Sequence, residues 1–575
     1  MPDVAFVAAP AQDQLIHELA ATLVFELGRQ GVLASAHLGR FPSARPDRVF
    51  VLLNPREYVA LMGPEAIPSD SVLRRTVFAC VEPPPADAAD PHLELLSRAG
   101  AVFAFDRRHV AALHRLGVAA RLLRPGYSEA LDHFDPEAQR AIDIMVLGEA
   151  TPRRTRYLSR AAPILARHNC LIQLAAPGPH PHDTTSYLGA GRWPLLARTK
   201  VLLNLHGTED DRGLEWGAVL DAIHAGAVVV SEHATGIVPL EVGQHLLVAA
   251  PEALADAADL LLRDPDRLAA LRRQAYERLS TWIPYALPVS VLRAAIVELV
   301  GEPLTDDDLG TGTGGTAQDI APGAGDEPAP PRVPDASLAR PVTGPPRDSV
   351  LPPGAVTDES PGWSTRRAPR VSVVCALAGD AEEVATTLGT VTGNRMRDLE
   401  VIAVHPAPAT DAASAAAAWL RDHPRLAARV ISVNGEAGTG TLRQVAAAVA
   451  RAPHCLILDG GQSLFPRALD VLAGTLEAAV DADFTYPIHT ATGAAGGEQL
   501  GNVLGWDSER ERAEATIRAP LLIRTDVLRA LRGSATGSCD PDHPDRILIG
   551  ALADRGACGQ LVPQILARRA TFTRG

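Results

Sequence analysis

Lysine is nearly missing from this chain. Of 54 basic residues one is a lysine, Lys200, and the other 53 (54 − 1) are arginine. Aromatic residues make up 4% of the sequence, too few for the stacking platforms on which single-stranded nucleic acids bind. Positive charge is in deficit as well. A net charge of −14 argues against a surface that follows a phosphate backbone, so no nucleic-acid partner is expected and any anion site has to be a local pocket. The six cysteines (Cys80, Cys170, Cys375, Cys455, Cys539, Cys558) include no Cys-x-x-Cys pair. That excludes a zinc knuckle or a disulfide framework and fits a reducing compartment. No uncharged apolar run reaches the ~18 residues of a membrane span, and Met1-Pro-Asp-Val-Ala-Phe-Val lacks the basic segment of a secretory signal. The expectation is a cytoplasmic protein with no membrane span.

What is present is the alternation of a multidomain α/β protein. At ~150 residues per domain, 575 residues hold three or four domains. Short apolar runs at Val4–Ala8, Val49–Leu53, Val77–Val81 and Ala101–Phe105, separated by helical patterns, predict a parallel sheet with helices on both faces. A second series with the same grammar starts at Ile142–Leu147 and runs through Val201–Leu205 and Ala227–Val230, and a helical stretch at Val289–Val300 is placed to pack back across the junction. A stretch rich in Gly, Pro, Asp and Thr follows and reads as a disordered linker. A third series opens at Val371–Leu377. The expected domains are 1–137, 138–300, a linker over 301–369, and 370–575: two Rossmann-like units, then a further α/β domain.

The second unit carries most of the chemistry. Gly148 follows a strand and lets a ligand approach the backbone. Arg153 and Arg154 stand at a helix start, which suits phosphate, or else they form an exposed basic cap. Lys200 flanks the strand Val201–Leu205, either as a second cation for a diphosphate leaving group or as a plain surface lysine. Asp221, on the following helix, suits ribose hydroxyls or is a solvated helix charge. Glu215 lies just upstream, with capping as its alternative role. His206 and Asn204 stand at the strand exit, where a structural histidine is the competing reading.

The blocks Arg192-Trp193-Pro194, Arg198-Thr-Lys200-Val-Leu-Leu-Asn204-Leu-His206, Glu215-Trp216 and Ala225-Gly226-Ala-Val-Val-Val-Ser231-Glu232 resemble the C-terminal domain of CgeB-like, spore-maturation-type glycosyltransferases of the GT-B fold. The resemblance covers about 141–279. It implies a nucleotide-sugar donor in the second unit, an acceptor in the first, and no metal. Gly148, Arg153, Arg154, Lys200, Asp221, Gly226 and Glu232 then form the donor-binding set, with His206 and Glu215 as catalytic candidates. In the related retaining transferases two glutamates are spaced Glu-x7-Glu. Here Asp221 stands at the second position and Gly213 at the first.

Val371–Leu377, Leu399–Val404 and Cys455–Pro466 are similar to the GT-A transferases of the large family-two group. Where that group has Asp-Asp-Gly-Ser this chain reads His405-Pro406-Ala407-Pro408, and where it has Asp-x-Asp the chain reads Asp459-Gly460-Gly461. Asp545 matches its catalytic base. One carboxylate is a poor ligand set for Mg²⁺ or Mn²⁺, so a degenerate GT-A-like domain is expected, with neither cofactor nor divalent metal. Together these readings imply a glycosyltransferase that moves a sugar from a nucleotide-sugar donor to a glycan, peptide or cell-envelope acceptor. Two alternatives stand beside it: catalysis in the GT-A-like half with the GT-B half as binding partner, and a non-catalytic carbohydrate-binding or assembly protein.

Overall fold

A computed structural model describes residues 2–12, 14–84, 90–175, 191–208, 213–305, 308–309, 351–365, 368–407, 411–435, 437–492, 498–531 and 544–569. The chain divides into two compact units, one of residues 1–148 with 178–328, the other of 149–177 with 329–575.

The first unit begins with β1 (Asp3–Ala8), α1 (Gln14–Arg29), β2 (Leu33–Leu38), β3 (Arg48–Leu53), α2 (Pro55–Met62), α3 (Asp70–Arg74), β4 (Thr76–Cys80), α4 (Pro91–Ser97), β5 (Ala101–Ala104), α5 (Arg107–Arg115) and β6 (Ala120–Leu122). The six strands form one parallel sheet in the order β2-β1-β3-β4-β5-β6. Every residue of β1, β3 and β4 is buried, as continuous apolar runs covered on both faces must be. Strand β2 was not legible in the sequence: Leu33-Ala-Ser-Ala-His-Leu is an edge strand with few large apolar residues.

The chain continues through β7 (Ile142–Glu149), α6 (Pro152–Leu165), β8 (Cys170–Ala175), α7 (Arg192–Ala197), β9 (Thr199–Asn204), α8 (Trp216–His224), β10 (Val228–Glu232), β11 (Leu247–Ala249), α9 (Leu254–Leu262), α10 (Pro265–Trp282) and α11 (Ala286–Leu299). Within the first unit β11, β10, β9 and β7 lie side by side, all parallel. Helix α11 returns to the first sheet, as its sequence position suggested. Val289, Leu292, Ala295 and Ile296 share a buried cluster with Val4, Phe6, Val51 and Val77. The buried Arg75 fastens its end by donating to the carbonyls of Leu299 and Val300, at 3.3 and 2.5 Å, a cation at a helix C-terminus.

The second unit holds a mixed sheet. Strands β13 (Val371–Ala376), β14 (Leu399–Ala407), β15 (Ala427–Asn434) and β16 (His454–Asp459) are parallel in the order β15-β14-β13-β16. Beyond β16 lie β20 (Leu521–Arg524), β18 (Phe484–Thr492), β21 (Gly559–Arg569) and β17 (Gln462–Leu464), with β19 (Glu498–Gly501) on β18.

Two features depart from the expected domains. Residues 149–177, read in sequence as part of the second Rossmann-like unit, group with the second compact unit: Ser159 Oγ donates to the carbonyl of Gln499 at 3.2 Å, and Gln564 Nε2 to Asn169 Oδ1 at 3.0 Å. A strand-helix-strand pattern specifies the elements but not the surface that covers them. The expected linker also ends early. Strand β12 (Val356–Glu359) pairs antiparallel with β15, and Trp363 is buried with Arg451 and Arg429 over its ring at 3.7 and 4.5 Å. One anchored tryptophan orders a stretch whose composition alone reads as linker. The segment 310–350 lies outside the described residues.

Candidate functional site

In a parallel sheet ligands gather at the carboxyl ends of the strands. At that edge of β7, β9 and β10 the structure brings together Gly148, Asn204, His206, Ser231 and Glu232. Gly148 has φ +140°, a conformation that side chains resist. Strand β7 pairs with β9 up to Val146 and Leu203, so Gly148 stands level with the start of the loop that carries His206. Asn204 Nδ2 donates to Ser231 Oγ at 3.0 Å, Ser231 Oγ to the Glu232 carbonyl at 2.9 Å, and the His206 backbone N–H to Glu232 Oε1 at 2.9 Å. His206 and Glu232 are each 3% exposed and Asn204 is 2% exposed. Glu232 is thus a deeply buried carboxylate oriented by the backbone N–H of His206. Glu215 is the residue preceding α8; its carbonyl takes the first helical N–H, from Val219 at 3.1 Å.

Three residues of the expected donor set lie elsewhere in the first unit, and two belong to the second unit. Lys200 is the second residue of β9, at the amino edge. Its Nζ meets Asp143 Oδ1 at 2.7 Å, on the second residue of β7. It lies four positions before Asn204, about 13 Å at ~3.3 Å per residue, beyond the reach of a lysine side chain toward the carboxyl edge. A position beside a strand does not bring a side chain to the crevice unless it lies at the strand's carboxyl end. Gly226 also lies at the amino end, ahead of β10. Its φ of +76° and a contact of 2.5 Å between any added Cβ and Arg140 Nη2 explain the glycine structurally. Asp221 is six residues into α8, and its Oδ2 accepts from Arg192 Nε at 2.8 Å. The same guanidinium pairs with Glu18 of α1, which also accepts from Trp193 Nε1 at 2.5 Å. Burial alone would lower the Arg192 pKa; Asp221 and then Glu18 outweigh it and hold it above the ordinary value. The Asp221 carboxylate is thus engaged in a buried ion cluster. Arg153 and Arg154 fall in the first turn of α6, in the second unit; Thr151 caps that turn by accepting from the Arg154 N–H at 3.2 Å, and Arg154 is buried.

Two further arginines stand at this edge, and no local sequence pattern singles them out. Arg124, just after β6, lies over the Trp216 ring at 4.1 Å and donates from Nη2 to the Val238 carbonyl at 2.5 Å. Arg108, in the first turn of α5, is held by Asp106 (Nη2 to Oδ2 at 2.7 Å), and its guanidinium fills the space that a side chain at Gly213 would take. The carboxyl edges of the two sheets of the first unit therefore face each other, and arginines of one meet Gly213 and Trp216 of the other. Burial, then the charge of Arg107, lowers the Arg124 pKa against a smaller pull from Asp106.

In the second unit Asp459 and Asp545 are brought together, but around a guanidinium. Arg443 Nε donates to Asp459 Oδ1 at 3.0 Å, Nη2 pairs with Asp459 Oδ2, and Nη2 also reaches Asp545 Oδ1 at 2.6 Å. Arg569 Nη1 and the Ala519 N–H occupy Asp545 Oδ2 at 2.9 and 3.1 Å. Asp545 is fully buried. Burial alone would raise its pKa; Arg443, then Arg569, hold it well below the usual carboxylate range. These carboxylates do not fit a divalent cation, because their oxygens are already taken by N–H donors of a charge-balanced quartet.

No family model and no curated protein sequence matches the chain. Among solved structures, HepE of Anabaena in complex with UDP-glucose overlaps 52% of this chain and 100% of its own, at 12% identity and a TM-score of 0.37. TarM overlaps 48% of this chain and 57% of its own, at 10% identity and a TM-score of 0.32. Likenesses this slight carry no argument about the reaction. Among the described residues no helix is long and apolar enough to cross a membrane.

Proposed function

We propose that the chain is a glycosyltransferase that takes a nucleotide-sugar donor at the carboxyl edge of the second sheet of the first unit. The observation that supports it is the buried trio of Asn204, His206 and Glu232, fixed by hydrogen bonds of 2.9 to 3.0 Å at the edge where such folds bind ligands. It lies inside the sequence blocks that resemble CgeB-like transferases. A glycine with φ +140° at the end of β7 lets a diphosphate approach the backbone. In this reading His206 and Glu215 stand nearest the sugar, Glu232 orients the His206 loop, and transfer needs no metal ion. The second unit is a GT-A-like domain that binds or assembles rather than catalyses, since Arg443 engages both of its candidate acids.

A non-catalytic binding protein is the second reading, favoured by one observation: Asp221, expected on the ribose, is engaged by Arg192. Donor hydrolysis and transfer by the full chain separate the two. A transferase releases nucleoside diphosphate from its donor slowly without acceptor, and His206→Ala abolishes that release. A binding protein takes up the nucleotide sugar and returns it intact.

A further inference from the structure

The first unit brings arginines together where its two carboxyl edges meet. Arg124 lies near Arg107 and Asp106, and Asp106 pairs with Arg108. Arg124 has no carboxylate partner among the described residues. One face of its guanidinium is covered by Trp216 at 4.1 Å, one nitrogen serves the Val238 carbonyl, and its buried Nε–H donates to nothing. An uncompensated, partly desolvated guanidinium with a donor to spare is costly unless something anionic meets it. Stacking on an indole presents the remaining N–H groups edge-on, the geometry in which arginine grips planar oxyanions. Opposite, Gly213 has no side chain, and the Arg108 guanidinium occupies that space.

We propose that Arg108 and Arg124 form an oxyanion subsite between the two carboxyl edges of the first unit, which takes a phosphate or carboxylate of the reactants. The proposal rests on the transferase reading for the identity of the ligand, not for the existence of the subsite. An oxyanion of this kind has three sources: the donor diphosphate, an acid group on the transferred sugar, or a phosphate on the acceptor.

The test is calorimetric titration of the full chain, wild type and Arg108→Gln, with UDP, UDP-glucose, UDP-glucuronate and inorganic pyrophosphate. Arg108 is exposed, so its replacement spares the fold. Arg124→Gln is the second variant, with Arg124→Lys as the charge-keeping control. Loss of one charged contact weakens the affected ligand about tenfold or more. Equal weakening of UDP and both sugar nucleotides assigns the subsite to the donor diphosphate. Weakening of UDP-glucuronate alone assigns it to an acidic sugar. Weakening of pyrophosphate alone assigns it to an acceptor phosphate. If wild-type protein binds pyrophosphate but none of the three nucleotides, the subsite stands and the transferase reading falls. If no ligand is weakened in Arg108→Gln or Arg124→Gln, the subsite does not exist.

Discussion

Lys200 Nζ and Asp143 Oδ1 face each other at 2.7 Å across the amino ends of β9 and β7. That pairing assigns the one lysine of the chain to the edge remote from the ligand crevice. Both side chains are partly exposed, at 36% and 24%, and pairs of this kind contribute roughly 0–1 kcal/mol. Lys200→Ala is therefore expected to change kcat/KM for the donor less than about twofold and to shift stability by no more than about 1 kcal/mol. Steady-state kinetics and a melting curve on one preparation check it, and a hundredfold loss of activity would return Lys200 to the site.

The quartet of Arg443, Asp459, Asp545 and Arg569 supports a second prediction. Removing the central cation by Arg443→Met leaves two buried carboxylates without their main partner, which costs about 3–5 kcal/mol. Because the folded pKa of Asp545 is depressed, its contribution to stability is fully present above the unfolded value near 4 and fades as pH falls from there toward the folded value. Denaturant unfolding of the full chain between pH 7 and pH 3 is expected to show an acid-side loss of stability that Arg443→Met removes. An unchanged pH profile in the variant would show that the quartet is not what holds the second unit together at neutral pH.

Much of the fold was legible because its strands are apolar runs buried on both faces. Val4–Ala8, Val49–Leu53 and Val371–Leu377 differ from β1, β3 and β13 by no more than a residue at either end. The site was legible only in part. His206, Glu232 and Gly148 sit at strand exits, and a strand exit can be read from sequence. The pairings of Asp221 with Arg192 and of Asp459 with Arg443 join residues 29 and 16 positions apart, and nothing in the local pattern announces them. Arg108 and Arg124 were equally hidden, since their role comes from the second sheet, more than 90 residues further along, meeting them at Gly213 and Trp216.

His224 gives a pH prediction for the first unit. It is 1% exposed. Its Nδ1–H donates to the Leu220 carbonyl at 2.8 Å, its Nε2 accepts the Ser128 N–H at 3.3 Å, and its ring stacks on Tyr127 at 5.5 Å. This arrangement holds the neutral ring. Burial pushes its pKa down to about 4, against smaller upward pulls from the Leu220 carbonyl, Asp132 and Glu18, with His133 adding to the depression. A histidine depressed in the folded state stabilises fully above its unfolded pKa near 6.5, and that contribution is lost as pH falls toward 4, roughly 3 kcal/mol for a shift of this size. His224→Gln is expected to be less stable at pH 8 yet to lose less stability on acidification. A variant as pH-sensitive as wild type between pH 6.5 and 4 would contradict this.

The proposed chemistry is located at the carboxyl edge of β9 and β10. Replacing His206, whose backbone N–H bonds Glu232, removes its imidazole and is expected to lower donor turnover by about a hundredfold, equivalent to roughly 3 kcal/mol of transition-state stabilisation. The direct measurement is release of nucleoside diphosphate from UDP-glucose and other nucleotide sugars by the full chain, wild type against His206→Ala, with melting temperature as the control for folding. Release by wild type and its near-complete loss in the folded variant are expected. Equal release by the two proteins would contradict this.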